Sequence, residues 1–437
     1  MSKSSPPCDE VLVDRFQSAA FHYFLQTYNP ENGLVADTTR ANSPASIAVV
    51  GFALSSYPVA VERGWMTRIS AAARTLVTLR FFWNSAQGTQ SDATGYKGFY
   101  YHFLDMRSGT RVWQSELSLI DTTLLLVGIL VASVYFTENT PEEEEIRKLA
   151  DALYRRVDWQ WSQGGEATVR QGWKPDSGFL HYGWDGYNES IILYVLGLAS
   201  PTHPLPDSSY AAWTATYQWE NIYGYDLLYA GPLFVHQFSH AWIDFDGIRD
   251  QFMREKKCDY SENTRRATYV QREYAQRNPH GFDGYGEDCW GISAGDGPGT
   301  KTLRIAGVER RFFGYTARGV PYGPDDGTIA PAAAVASLPF APEIALPAMR
   351  HLWLRYPDMV QDRKMPSGFN PTLGGGTHRW SSQGCFGLDQ GIIVLMIENY
   401  RSQMIWKLMR TCPYVGNGLR RAGFTGGWLQ QRSLLCA

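Results

Sequence analysis

Neither sign of charge prevails in this chain of 437 residues: Lys and Arg number 40, Asp and Glu 43, and no basic or acidic tail breaks the balance of −3. Nucleic acid and anionic membrane therefore find no electrostatic handle and are not expected as partners. The uncharged stretch 122–137, rich in Leu and Val, falls short of the ~20 residues a bilayer span needs. A helix apolar on nearly every side is instead expected to lie buried among other helices. The six cysteines, Cys8, Cys258, Cys289, Cys385, Cys412 and Cys436, form no C-x-x-C pair and no Cys/His cluster at zinc spacing. Neither a zinc site nor a disulfide scaffold is expected from them. No G-x-x-x-x-G-K-[ST] loop occurs, which removes phosphate-loop chemistry. The opening residues MSKSSPPCDE hold no apolar signal core, as in a cytoplasmic protein or a mature form without its leader.

What is present is a globular composition, with 44% hydrophobic and 19% charged residues, enough to build a large core. Helical periodicity runs through 10–27, 43–63, 70–84, 118–136, 141–162, 188–199, 208–220, 240–255, 261–276, 328–336, 342–355 and 388–408, the last with a break, while strand alternation is scarce. Thr140-Pro141 followed by Glu142 to Glu145 supplies a cap, a first-turn proline and acids for a helix N-terminus. No compositional break divides the chain, so one domain over 1–437 is expected, with a short flexible segment at 1–9. An all-α fold follows. Apolar helices inside and amphipathic ones outside pair into six hairpins that close as an (α/α)6 toroid. The long loops 164–188, 278–327 and 366–387 would then line a central substrate cleft.

Aromatic residues make up 14% of the chain, with 15 Trp and 25 Tyr, many beside Gly, Asp or Asn in these loops. Such rings offer flat platforms to the C–H faces of sugars. Two acidic constellations stand before apolar helices. In WQSELSLIDTT (113–123), Glu116 and Asp121 would lie ~140° apart on a continuous helix, so they converge only if Glu116 precedes it. Ser118-x-x-Asp121 also reads as a capping box, a purely structural role for Asp121. In FLHYGWDGYNE (179–189), Glu189 enters the first turn of the next helix, where the dipole lowers a carboxyl unless burial beside Trp184 and Tyr187, or a charge such as Asp121 or Glu116, counters it. His236 and His240 are four apart but lack the glutamate of a metalloprotease helix, so hydrogen bonding is expected of them. The acids and tryptophan of 284–298, spaced by glycines, read either as a sugar-contacting loop or as a rigid structural one, and Asp326 and Asp389 again open helices. Paired carboxylates around an acetal perform glycosidase chemistry.

The blocks NGLVAD (32–37), SIAVVGFAL (46–54), FYYHFLD (99–105), SELSLIDT (115–122), YGWDGYNES (182–190), FVHQFSHAWIDF (234–245), NPHGFDGYGEDCWG (278–291), DGTIAPAAAVASLPFAPE (326–343) and LDQGIIVLMIENYR (388–401) resemble the glycoamylase-like domain, glycoside hydrolase family 144, over nearly the whole chain. The resemblance implies an (α/α)6 toroid and anomer-inverting hydrolysis of β-1,2-glucosidic bonds in linear β-1,2-glucan or sophorooligosaccharides, without metal or other cofactor. It further implies a monomer handling glucan in a periplasmic or secreted setting. On this footing Glu189 is the candidate proton donor and Asp121 or Glu116 the candidate base. Trp184, Tyr187, Tyr285 and Trp290 are candidate sugar platforms, and Glu287, Asp296, His240 and Arg40 candidate hydroxyl ligands. A transglycosylase on the same glucan, or a glucan-binding protein without activity, are the alternatives.

Overall fold

The computed structural model describes residues 7–361, 365–374 and 379–430. Its helices are α1 (Asp9–Gln26), α2 (Ile47–Glu62), α3 (Arg68–Asn84), α4 (Leu119–Tyr135), α5 (Pro141–Arg155), α6 (Ile191–Ala199), α7 (Ser208–Thr214), α8 (Gln251–Glu255), α9 (Tyr260–Arg277), α10 (Pro331–Ala336), α11 (Pro342–Arg355), α12 (Pro357–Gln361), α13 (Gly387–Ser402), α14 (Met404–Thr411), α15 (Pro413–Arg421) and α16 (Gly427–Gln430). Asp9 already belongs to α1, and residues 1–6 of the expected N-terminal segment lie outside the described residues, as does Cys436.

Burial sorts the helices. Every residue of α6 is buried, as are Ile47 to Ala60 of α2 and Leu119 to Ala132 of α4. Each such Leu, Ile, Val or Phe contributes about 1.5–3 kcal/mol over an exposed one. α5 instead buries Ile146, Ala150, Leu153 and Tyr154 on one stripe, the spacing of an amphipathic helix. Its start is the expected one, Thr140 Oγ1 accepting from the Glu143 amide at 3.3 Å ahead of Pro141. α2 packs on α4 and α13, α4 on α6, and α13 on α10, while α1, α3, α5, α11 and α15 lie against this inner set. Where α2 crosses α4, Gly51 and Gly128 let the backbones touch: a Cβ on Gly51 would meet the Leu124 carbonyl, and one on Gly128 the Gly51 carbonyl. No helix among the described residues is long and apolar enough to cross a membrane.

Several segments expected as single helices are broken. The 141–162 helix stops at Arg155; Arg156 turns to the Phe82 and Trp83 carbonyls, and Asp158 accepts from the Trp161 amide to begin a separate 3-10 turn. In 208–220, α7 ends at Thr214 and Trp219–Ile222 pairs with Tyr225–Leu228 across Tyr223 and Gly224, both at positive φ as a two-residue hairpin turn requires. Segment 240–255 divides into the 3-10 turn Ser239–Ala241, the strand Ile248–Arg249 after Gly247, and α8. Gln403, at φ 59, divides 388–408 into α13 and α14.

Short strands, too brief to show alternation, organise one end of the helices. An antiparallel sheet runs Gly95–Tyr96, Phe99–Tyr101, Leu117–Ser118, Gly172–Lys174, Gly178–Phe179. Leu117–Ser118 runs straight into α4, and Ala45–Ser46, paired with Phe103–Leu104, runs straight into α2. The N-terminal ends of α2 and α4, both buried over most of their length, are thereby fixed to one another.

Candidate active site

At that end lies a cavity of about 490 Å³, walled by Asp37, His102, Phe103, Asp121, Glu189, Tyr315, Phe386 and Asp389 among others. A larger depression of about 620 Å³ is lined by polar groups such as Gln26, Thr39, Ser381 and Gln383. Its one carboxylate, Asp358, is exposed and paired with Arg379, whereas the first cavity gathers Asp37, Asp121, Glu189 and Asp389.

Glu189 sits in the turn before α6, not in its first turn; Ser190 is the N-cap. Burial raises its carboxyl to about 7, a backbone N–H opposing the rise and the charge of Asp121 adding to it. This is the environment the sequence required of a proton donor. Of the capping box only the serine half forms: Ser118 Oγ accepts from the Asp121 amide at 3.2 Å, and the Asp121 carboxylate accepts from that same hydroxyl at 2.5 Å instead of reaching back to the Ser118 N–H. Asp121 nevertheless lines the cavity, so the structural role and the site coincide.

Glu116 precedes α4, as convergence demanded, but it does not line the cavity. It accepts a hydrogen bond of 2.8 Å from His102 Nδ1. The other ring nitrogen of His102 lies 3.6 Å from Asp121 Oδ2. Burial alone would lower His102; the charges of Asp121 and Glu116 override it and lift the imidazole to about 9. Burial would raise Glu116, and the hydrogen bond and charge of His102 hold it below the usual carboxylate range. Among the described residues these three bring metal-type donor atoms within 4.8 Å of one another. The two acids face opposite nitrogens of one ring, so the ring bridges them as an ion pair instead of sharing a central ion with them.

Two further acids complete the wall. Burial raises Asp389 to about 7, against a Ser367 hydrogen bond and with help from Asp37 and Asp296, and its buried Oδ2 has no hydrogen-bond partner. Burial raises Asp37 to about 6, and the His102 cation restrains it.

The expected sugar ligands divide. Arg40 and Asp296 pair at the rim, Arg40 lying 5.1 Å over the Phe386 ring of the cavity wall and Asp296 accepting from Ser382 at 3.0 Å. The others are placed elsewhere. Trp290 is 1% exposed and packs with Leu233, Ala330 and Ala333, a core side chain and not a platform. His240 is buried against Phe245 and Phe340, lies 3.1 Å from Thr264 Oγ1, and is depressed by burial to about 3. Glu287 is exposed and paired with Arg272. Tyr285 donates to Asp325 at 2.6 Å, and Tyr187 packs on Tyr217, His236 and Tyr260. Trp184 is half-buried against the core; none of these six lines the cavity. The rings that do are Phe103, Phe234, Phe238, Tyr315 and Phe386.

A family model described as "Putative glucoamylase" matches residues 181–413, more than half of the chain. The chain belongs to this glycoamylase-like family. A Bacteroides uniformis crystal structure of the same description is 32% identical, with 98% of this chain and 100% of that one covered and a TM-score of 0.87. An endo-β-1,2-glucanase from Chitinophaga pinensis, solved with sophorotriose and glucose, is 27% identical, with 97% and 100% covered and a TM-score of 0.82. A curated relative from Parabacteroides distasonis, an exo β-1,2-glucooligosaccharide sophorohydrolase acting at the non-reducing end, is 26% identical over 95% of this chain. The chain spans 58% of that relative's length. In this glycoamylase-like chain, the residues that sequence reasoning missed are His102 and Asp37. Both lie inside blocks that carry the resemblance, yet at bends in the backbone where no periodicity marks them.

Proposed function

We propose that this chain is a glycoside hydrolase that cleaves β-1,2-glucosidic bonds of linear β-1,2-glucan or sophorooligosaccharides with inversion at the anomeric carbon. The observation that carries the reading is Glu189, a carboxyl raised to about 7 on the wall of a cavity whose other acids include Asp121, Asp37 and Asp389. Near neutral pH it holds a proton to give the leaving glycosidic oxygen, as the C1–O bond breaks. A second carboxylate takes a proton from the water that attacks C1 from the opposite face. Asp121 fits that role through its fixed orientation on Ser118, and Asp389 through an unpartnered buried oxygen that a water would satisfy. Glu116, paired to His102, serves the site only through that ring.

The substrate class is supported by the relatives, whose names specify β-1,2-glucans. An (α/α)6 toroid in a single domain over 1–437 is supported by the burial of α2, α4, α6 and α13 inside the paler, amphipathic outer helices. The test is incubation of the purified chain with linear β-1,2-glucan, resolving products by size and anomeric form. Shorter chains born as the inverted anomer are expected. Products longer than the substrate identify transglycosylation, and binding without new reducing ends overturns the enzyme. D121N and D389N, assayed together, name the base: its loss removes kcat by about 100-fold or more while the other variant retains turnover.

A further inference from the structure

Among the residues lining the cavity, His102 is the sole positively charged side chain, standing against Asp37, Asp121, Glu189 and Asp389. Its backbone is held on both sides. Its amide donates to the Glu116 carbonyl at 3.0 Å, and its carbonyl accepts from Ile47, the first residue of α2, at 3.2 Å. The ring lies flat on Phe103, centroids 3.9 Å apart and planes 13° from parallel. Glu116 takes Nδ1 at 2.8 Å, which leaves Nε2 facing Asp121 Oδ2 at 3.6 Å. A ring fixed by strand pairing, stacking and a carboxylate has no rotational freedom to spare, so Nε2 is a stationary positive point beside Asp121.

We propose that His102 is a positioning residue for the hydrolytic reaction: anchored by Glu116, it fixes the Asp121 carboxylate on the acidic wall that faces Glu189. The inference rests on the glycosidase reading above and deepens it. It assigns Glu116 a purpose that neither a base nor a sugar ligand explains. The charged groups facing the ring are Asp37, Glu116 and Asp121; Lys174 acts on Glu116 from the neighbouring strand, and Arg40 on Asp37 from the rim.

The experiment compares H102Q, E116Q and the double variant on linear β-1,2-glucan, with E189Q as the reference for the reaction itself. H102Q is expected to lose kcat by about 10- to 100-fold, the scale of a misplaced reacting group, with KM changed by less than about 3-fold. Since Glu116 works only through the ring, the double variant should be no worse than H102Q alone. A merely structural role would not confine the loss to kcat at nearly unchanged KM. Multiplying losses in the double variant, or an H102Q enzyme with wild-type kcat, overturns the inference. If H102Q does not fold, E116Q decides alone: a kcat loss at unchanged KM supports the anchor, and wild-type kcat overturns it. An unsubstituted chain that releases no reducing ends would instead overturn the glycosidase reading, and an active E189Q the donor role of Glu189, while an inactive E189Q beside a normal H102Q would overturn only the role given to His102.

Discussion

Replacing Glu189 with Gln should abolish turnover and stabilise the fold, and the two effects should depend on pH in different ways. Burial and the Asp121 charge raise the folded carboxyl to about 7, against 4.5 for the free side chain. Below 4.5 both folded and unfolded chains carry the proton, and nothing is lost. Between 4.5 and about 7 the unfolded chain ionises while the folded one resists. Above about 7 the folded protein bears the full cost of a buried anion. That cost is about 3 kcal/mol at most, since each tenfold change in proton affinity is about 1.4 kcal/mol. For a chain of this length, with an unfolding entropy of about 2 cal/mol/K per residue, it corresponds to about 3 °C in Tm. E189Q is therefore expected to melt about 3 °C higher than wild type at pH 8 and no higher at pH 4. In the wild type, kcat should fall as pH rises through about 7, when the donor loses its proton; in E189Q it should be about 100-fold to 10,000-fold lower throughout. Scanning calorimetry at the two pH values and reducing-end release from linear β-1,2-glucan measure both. A stability gain of equal size at both pH values, or an E189Q enzyme with wild-type turnover, would refute the reasoning.

Four further outcomes follow from packing and surface pairing. Tyr315, exposed at the cavity mouth and stacked at 6.5 Å on Phe386, should supply the platform that Trp290 does not; Y315A is expected to raise KM for sophorooligosaccharides by about 3- to 10-fold, the worth of one aromatic contact, read by initial rates. W290A should cost about 3–5 kcal/mol in a denaturant titration through the void it leaves among Leu233, Ala330 and Ala333. E287A, by contrast, breaks only a surface pair with Arg272 and should change stability by about 1 kcal/mol or less, with activity intact. G51A drives a methyl into the Leu124 carbonyl at the α2–α4 crossing and should destabilise by about 1–3 kcal/mol or more in the same titration.

How much of this was legible in the sequence depends on how local the cause was. The expected 342–355 helix coincides with α11, and 118–136 brackets α4 within a residue at either end, because an unbroken apolar run or a proline-led start leaves the backbone no competing solution. Glu189 and Asp121 were legible for a related reason: an acid directly before an apolar helix must be capped, paired or functional, and a single chain shows its own neighbours. Trp290 was misread because Gly291 and Asp288 mark a loop. What buries the indole is Leu233, from well before it, and Ala330 and Ala333, from well after it, which no local pattern reveals. His102 was hidden for the opposite reason. It stands at the bend between strands of two and three residues, each too short to alternate, and acquires meaning only when β pairing brings Glu116 across from it and α4 delivers Asp121 to its other nitrogen. The sequence did carry one usable sign: a lone histidine inside the aromatic run Phe99 to Phe103, in a segment bound to pair with the strand that leads into the acid-bearing helix. Aromatic strand residues bury, and a buried imidazole requires a partner for each nitrogen. Pairing His102 with the two acids of 113–123, Glu116 and Asp121, is the step that joins those segments, and it needs the β pairing to single them out over the nearer Asp105.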